Sequence, residues 1–450
     1  MATRSSNPTP EVRPASAVIA FPAAPAAAGG KSADTDTAAA TSIAEVLQFA
    51  IIHHPLLQIR AHEVEAARAR LVTARLLPNP ELTVDAGAVS DEPGAARLNT
   101  RLMFKLPIGP KREWRTAAAE TAIREKQLGL GRETKTVLME AADAAIEVLY
   151  LEELTAVYGQ LSALANRVVQ IQKERFTAAA VPYRNVVLVE LSASHIELAR
   201  REALQRLDEA KVRLARAMGL PNGSPPPLAG HLAVESVVFV NLPAVLDRAR
   251  QVAPELARSQ AAVQEGQQQL CLEQWKAVPD LAIGPHLNGD MGAPADERVS
   301  ARAIMDLPFF DRNQGHIAES AADLQTRCAQ RALAEVSTLN DVAALYLELR
   351  NVQSQAEYYG AQIKPLIERT EVALREAFED RAVAAYELTD LMEALARMRL
   401  SDVDMRHEHQ RLRTRLEVLL ECPFARAAAG QMPTPPEVLP APKPLPPVHP

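Results

Sequence analysis

The side chains of this chain best suited to hold a metal or attack a substrate are ten histidines and three cysteines, and their spacing fits neither task. His53 and His54 are adjacent, and His407 and His409 are two apart. On a helix each pair points to different faces and cannot close on one ion. Histidines at helix surfaces or helix tips are therefore expected. Cys271, Cys328 and Cys422 are odd in number and far apart, which specifies neither a disulfide framework nor a Cys-x-x-Cys site. They read as buried small hydrophobes. The sequence has no glycine-rich phosphate loop, no zinc-protease histidine pair and no supported nucleophile, histidine and acid grouping. A non-enzyme without a cofactor is expected. Glu387 and Asp390 share one face if they lie on a helix, because residues three apart are neighbours there. Taken alone, such a pair is a solvated acidic face.

The elements that must position these residues are long. Of the 450 residues 48% are hydrophobic but only 4% aromatic, so the apolar content is mostly Ala, Leu and Val. That composition suits long helices packed through small side chains. Lysine and arginine number 49 against 56 acidic residues, a net charge of −7 without long blocks of one sign. No nucleic-acid partner is indicated.

The chain repeats its punctuation about 200 residues apart. Pro55-x-Leu57 returns as Pro254-x-Leu256, Pro80-Glu81-Leu82 as Pro279-Asp280-Leu281, and Leu106-Pro107 as Leu307-Pro308. Each half reads helix, strand, strand, helical hairpin, one fold made from a duplicated block. In the first half a periodic run from Ile43 to Leu77 opens on a Ser42/Glu45 capping box and ends at Pro78. A proline-free run from Lys111 to Thr177 would be a rod on the order of 100 Å. Its return, Arg184 to Met218, stops at Gly219-Leu220-Pro221. In the second half the runs are Leu242 to Val278, interrupted by Pro254, then Gln314 to Phe378, with a kink at Pro365, and Tyr386 to Leu420. The expected organisation is a leader or poor signal segment over 1–41, repeat 1 over about 42–221, a linker over about 222–240, repeat 2 over about 241–424, and a proline-rich disordered tail over 425–450.

The strands are what set this chain apart from a soluble coiled-coil scaffold. Leu98, Leu102, Phe104 and Leu106 alternate with Arg97, Asn99, Arg101 and Lys105. Val299, Ala301, Ala303 and Met305 alternate with Ser300, Arg302 and Ile304, while Leu82 to Ala86 and Leu281 to Ile283 alternate more weakly. No stretch approaches the ~18 apolar residues of a membrane helix, so any crossing must use strands. Strands of about ten residues match a tilted bilayer crossing with one face to lipid and one to a polar lumen. Four strands cannot close a barrel alone, and open edges do not survive in hydrocarbon, so several protomers would have to pool theirs. Two soluble hairpins capping a helical bundle remain the alternative.

The duplicated plan, and above all Leu307-Pro308-Phe309-Phe310-Asp311-Arg312-Asn313-Gln314-Gly315, resembles the TolC-like outer membrane efflux proteins, nearest the heavy-metal CzcC/CusC branch, over residues 41–424. The resemblance implies a mainly α fold with a small β part. A homotrimer would pool four strands per chain into a twelve-stranded barrel in outer membrane lipid, continued by an α-helical tunnel through the periplasm. It further implies a passive conduit that works with a periplasmic adaptor protein and an inner-membrane RND pump, with the outer membrane as its location. Arg97, Asn99 and Arg101 would face the lumen. The hairpin tips that touch the adaptor would be Ala179, Ala180 and Val181 after Phe176, and Arg381, Ala382 and Val383 after Phe378. Ala179 and Arg381 stand where the family has glycine, in a turn that calls for positive φ. Glu387 and Asp390 would ring the constricted periplasmic entrance. A non-exported helical scaffold related to the family is the alternative function.

Overall fold

A computed structural model of the chain describes residues 41–88, 96–221, 223–234, 239, 241–287, 299–379 and 385–421. Helix α1 (Ile43–His53) opens on the expected capping box: Glu45 N–H donates to Ser42 Oγ at 3.3 Å and Ser42 N–H donates to Glu45 Oε2 at 2.8 Å. The run that reads as one helix is two, because Pro55 pushes His54 into an extended conformation and starts α2 (Pro55–Arg75) at its own first position. The second repeat breaks the same way at Ala253, between α5 (Leu242–Val252) and α6 (Pro254–Lys276).

Helix α3 (Lys111–Thr177) is one continuous helix of 67 residues, and α4 (Tyr183–Ala217) returns along it. Between them Val137, Ala141, Ala145 and Val148 meet Ala203, Leu207, Ala210 and Leu214, spaced three and four apart. Alanines at these positions let the two backbones approach closely along a coiled-coil seam. In the second repeat α7 (Gln314–Tyr358) passes through a π-helical turn, Tyr359–Ile363, into α8 (Lys364–Glu379). The proline expected to kink this rod is Pro365. A proline cannot donate to the carbonyl four residues back and clashes with it, and the wider π turn just before it absorbs that mismatch. Helix α9 (Ala385–Leu420) closes the repeat, with Leu412, Leu416 and Leu420 against Val342, Tyr346 and Leu349 of α7 and Val245 and Ala249 of α5.

A buried lysine ties the repeats together. Lys135 of α3 donates to the carbonyls of Val252 at 3.2 Å and Leu419 at 3.4 Å and pairs with Glu421 at 2.8 Å. One cation thus satisfies the exposed carbonyl ends of α5 and α9, where the helix dipole favours positive charge. The linker is also pinned. Thr41 N–H donates to the Pro227 carbonyl at 2.8 Å and Ala229 N–H donates to the Thr41 carbonyl at 2.9 Å, and Glu153 and Arg406 grip the N–H and C=O of Leu232 at 2.7 and 3.0 Å.

Four strands form one antiparallel sheet in the order β1 (Glu81–Ala88), β2 (Ala96–Leu106), β3 (Leu281–Leu287), β4 (Val299–Met305). The β2–β3 pairing joins the two repeats. Among the described residues the outer edges of β1 and β4 have no strand partner, so each chain presents two open edges.

Candidate functional site

The register sorts the sheet into two chemically different faces. Across the strands, Thr83 lies opposite Arg101, which lies opposite His286 and then Ser300. Residues on this face include Glu81, Asp85, Asn99, Lys105 and Arg302. Asp85 is ion-paired with Arg101, and Glu81 with Lys105 at 3.3 Å, both diagonally across β1 and β2. The other face holds Leu82, Val84, Leu98, Leu102, Phe104, Ile283, Leu287, Val299 and Met305. It is apolar and uncovered: Leu82 is 64% exposed, Leu98 52% and Val299 60%. A monomeric soluble protein rarely leaves so large an apolar area to water. Arg97, Asn99 and Arg101 take alternate positions of β2, as the alternation predicts, and Leu98, Leu102 and Phe104 take the intervening ones.

Where the sheet meets the helices, both strand-to-helix junctions turn through a left-handed residue. Gly109 (φ 80) precedes α3 and Asn313 (φ 62) precedes α7. The Gly109 backbone lies against the Trp275 ring, where a Cβ would collide. Asn313 Nδ2 donates to the carbonyl of Glu273 at 2.8 Å and to its Oε2 at 3.0 Å. Burial pushes the Glu273 carboxyl up, but hydrogen bonds from Lys276 and Asn313 outweigh it and hold the group below its usual range. Lys111, at the start of α3, pairs with Asp280 at 2.5 Å and reaches the Val278 carbonyl. A cavity of about 1120 Å³ opens on the polar face here, with Arg101, Lys105, Lys111, Arg112, Glu81 and Asp306 among its lining residues. The Leu-Pro and Pro-Asp-Leu landmarks mark this junction in the sequence, but nothing local in them foretells the Lys111–Asp280 contact.

At the far end of α3 the chain turns through Ala179, Ala180 and Val181. Ala179 has φ 54. Its N–H donates to Phe176 O at 2.9 Å and that of Ala180 to Arg175 O at 2.8 Å, the two bonds of a Schellman cap. The positive φ expected where the resembled family has glycine is therefore present, carried by alanine. Gly219 (φ 78) caps α4 with the same pair of bonds, from Gly219 to Arg216 and from Leu220 to Ala215. An L-residue in the left-handed region costs roughly 1 kcal/mol, so Ala179→Gly is expected to raise stability by about 0.5–1 kcal/mol. The urea midpoint reads it, and an unchanged or lower midpoint contradicts it. The rings of Phe176 and Tyr183 meet across this turn at a tilt, with centroids 5.5 Å apart. The second expected tip, Arg381, Ala382 and Val383, lies outside the described residues. Glu387 lies in α9, and Asp390, one turn further, is exposed.

Two sequence expectations are corrected. The His407-x-His409 pair is not on the surface: His409 is fully buried and His407 nearly so, because His409, Leu412 and Leu416 share the inner stripe of α9. His407 pairs with Glu147 of α3 at 3.1 Å and stacks on Tyr150 at 4.3 Å, while the Tyr150 hydroxyl donates to Asp404 at 2.7 Å. The hydrogen bond from His407 holds the Glu147 carboxyl below its usual range against the opposing effect of burial, and burial, aided by Asp404, pushes the Tyr150 hydroxyl up. The partners stand about 250 residues apart in sequence, so no local signal could have joined them. His53 and His54 do sit at helix tips, ending α1 and capping α2. Cys328 is exposed rather than buried and Cys271 half-buried, since this part of α7 packs on α6 along one side only; Cys422 lies outside the described residues. Among the described residues no three His, Cys, Asp or Glu side chains gather as a metal cluster, and no helix is long and apolar enough to cross a membrane.

No family model matches the chain. Among solved structures, the outer membrane protein VceC from Vibrio cholerae matches with a TM-score of 0.69 over 85% of this chain and 96% of VceC, at 15% identity. CusC matches with a TM-score of 0.65 over 85% and 92% of the two chains, at 12% identity. These likenesses establish the fold: duplicated helices, long hairpins and a four-stranded sheet, as in VceC and CusC. In sequence, the cobalt-zinc-cadmium resistance protein CzcC of Cupriavidus metallidurans is 26% identical over 262 residues, 58% of this chain and 61% of CzcC. The matched part thus spans about three fifths of that relative's length. The chain thus shares the fold of these outer membrane proteins and is similar in sequence to CzcC.

Proposed function

We propose that this chain is the outer membrane subunit of a tripartite efflux system, a passive conduit without enzymatic activity. The observation that carries the reading is the sheet, with one apolar face bare, one face of paired charges and both edges open. Open edges and bare apolar surface make physical sense together if three chains pool twelve strands around a lumen in lipid. Arg97, Asn99 and Arg101 then line the lumen, and the helices carry the passage through the periplasm. The partners are an adaptor at the tips, Ala179 to Val181 and Arg381 to Val383, and an RND pump in the inner membrane. CzcC is named for cobalt, zinc and cadmium resistance, and on that kinship the cargo proposed here is heavy-metal cations.

The test is thiol labelling in cells of a variant lacking Cys271, Cys328 and Cys422. Cysteines at Arg97, Asn99 and Arg101 are expected to react with a membrane-impermeant reagent and those at Leu98, Leu102 and Phe104 to be shielded. In detergent the protein should carry the mass of three 48.9 kDa chains. Equal labelling of both sets, or recovery wholly in the soluble cytoplasmic fraction, would sink the reading in favour of a non-exported scaffold.

Three copies of Glu387 and Asp390 at the periplasmic end would make an acidic ring that concentrates cations. Glu387→Gln with Asp390→Asn is expected to lower cation selectivity in planar bilayers without disturbing trimer assembly. Unchanged selectivity would return the pair to a solvated helix face.

A further inference from the structure

One position of the α3 seam is chemically out of place. The buried residues of α3 toward its hairpin end recur at Leu161, Ala165, Val168 and Gln172, spaced four, three and four apart as in a coiled coil. Ala165 and Val168 pack against Val189 and Ala193 of α4 and Met392 and Leu395 of α9. Gln172 is as completely buried as they are, at 0% exposure, yet neither its Oε1 nor its Nε2 has a hydrogen-bond partner. A carboxamide brings one acceptor and two donor hydrogens. Taking it out of water unpaired is costly, whereas leucine or methionine of similar volume would carry no such cost.

The placement adds to the case. Gln172 lies about two turns before Ala179, whose left-handed backbone is itself strained. Two independent costs therefore fall at one end of the α3–α4 pair. The opposite end is built the other way, with an apolar seam of Ala203, Leu207, Ala210 and Leu214 and a glycine at the left-handed cap. Stability is graded along the hairpin, firm at one end and weakened at the other.

We propose that Gln172 biases the hairpin end away from the packed arrangement, toward one in which α3 and α4 part from α9 and the amide reaches water or a backbone partner. Val168 and Ala165 hold the seam closed; Gln172 sets how readily it opens beyond them. If the channel reading is right, the same residue lowers the work of widening the periplasmic end.

Amide hydrogen exchange of the full-length protein in detergent tests this without reference to transport, so its failure would leave the channel reading standing. Gln172→Leu is expected to slow exchange about tenfold over residues 165–178 and 388–396, the change that removing one buried unpaired polar group produces. Exchange over 203–217 should stay as it is. Gln172→Met, which fits the same space with a flexible thioether, should behave likewise. Equal or faster exchange at the hairpin end would overturn the proposal, and so would equal slowing at both ends, which would make Gln172 a matter of overall stability. Failure of both variants to fold would overturn it too, by showing that the packed end needs the amide.

Discussion

Arginine at both Leu98 and Phe104 is expected, if the proposed barrel forms, to abolish its assembly in the outer membrane. Both residues lie on the apolar face of β2, at 52% and 44% exposure among the described residues. In water such substitutions would be harmless or even solubilising. Against lipid, an arginine near the midplane of a barrel wall costs about 2–4 kcal/mol. Two per chain therefore approach the 5–15 kcal/mol that typically holds a folded protein together, and in a trimer the cost recurs three times. Arg101→Ala on the opposite face is the control. It breaks the pair with Asp85, a partly exposed contact of small worth, and should assemble almost normally. Heat-resistant trimers of the Leu98→Arg, Phe104→Arg variant at native abundance in outer membrane preparations would show that this face does not meet lipid.

Much of the architecture is legible because two periods separate cleanly. The run from Lys111 to Thr177 carries no proline and repeats at helical spacing, and it folds as one helix with those bounds. Residues 97–106 alternate except at Thr100 and Met103, and their two faces are those of the sheet. The capping box at Ser42 is a local hydrogen-bond pattern and forms as written. What fails is also local in origin. Pro55 sits inside an unbroken apolar period, so periodicity suggests one helix where steric exclusion makes two. The disturbance caused by Pro365 appears one turn earlier, as a π turn at Tyr359–Ile363, because the clash is with the preceding carbonyls.

The site is legible only as far as single strands and turns reach. Alternation assigns Arg101 to a face, but its pairing with Asp85 depends on the register between β1 and β2, which the alternation of one strand does not set. The buried state of Lys135 runs against every expectation for lysine. It follows from where α5 and α9 end, three segments far apart in the chain meeting at one amine. His409 and Gln172 occupy seam positions whose spacing is apolar in pattern and whose chemistry is polar. A pattern reader who weighs spacing above residue type would have found both.

The second large effect is expected at Gly284, where the two halves of the sheet meet. β2 and β3 pair at Thr100–Leu287, Arg101–His286 and again from Phe104–Ile283, leaving Leu102 and Met103, which pair with β1, without a ladder partner in β3. Pro285 has no N–H to give there, and Gly284 lets the strands close over the gap. A Cβ on Gly284 would run into the carbonyl of Leu102 and come within 3.1 Å of the Met103 Cα. Both obstacles are backbone and cannot swing aside. Gly284→Val should therefore cost about 3 kcal/mol or more, in the range of severe packing errors, and should part the β1–β2 hairpin from the β3–β4 hairpin. Each chain would then offer two separate hairpins instead of one four-stranded segment, and closure of the proposed common barrel would fail. Gly129→Ala makes the matched control, since a Cβ in that part of α3 meets nothing within 4 Å and alanine favours a helix interior over glycine by about 0.5–1 kcal/mol. Heat-dependent trimer migration of the two variants should move in opposite directions. Native trimers from Gly284→Val would mean that β2 and β3 do not meet in this register, and that the join between the repeats lies in the helices alone.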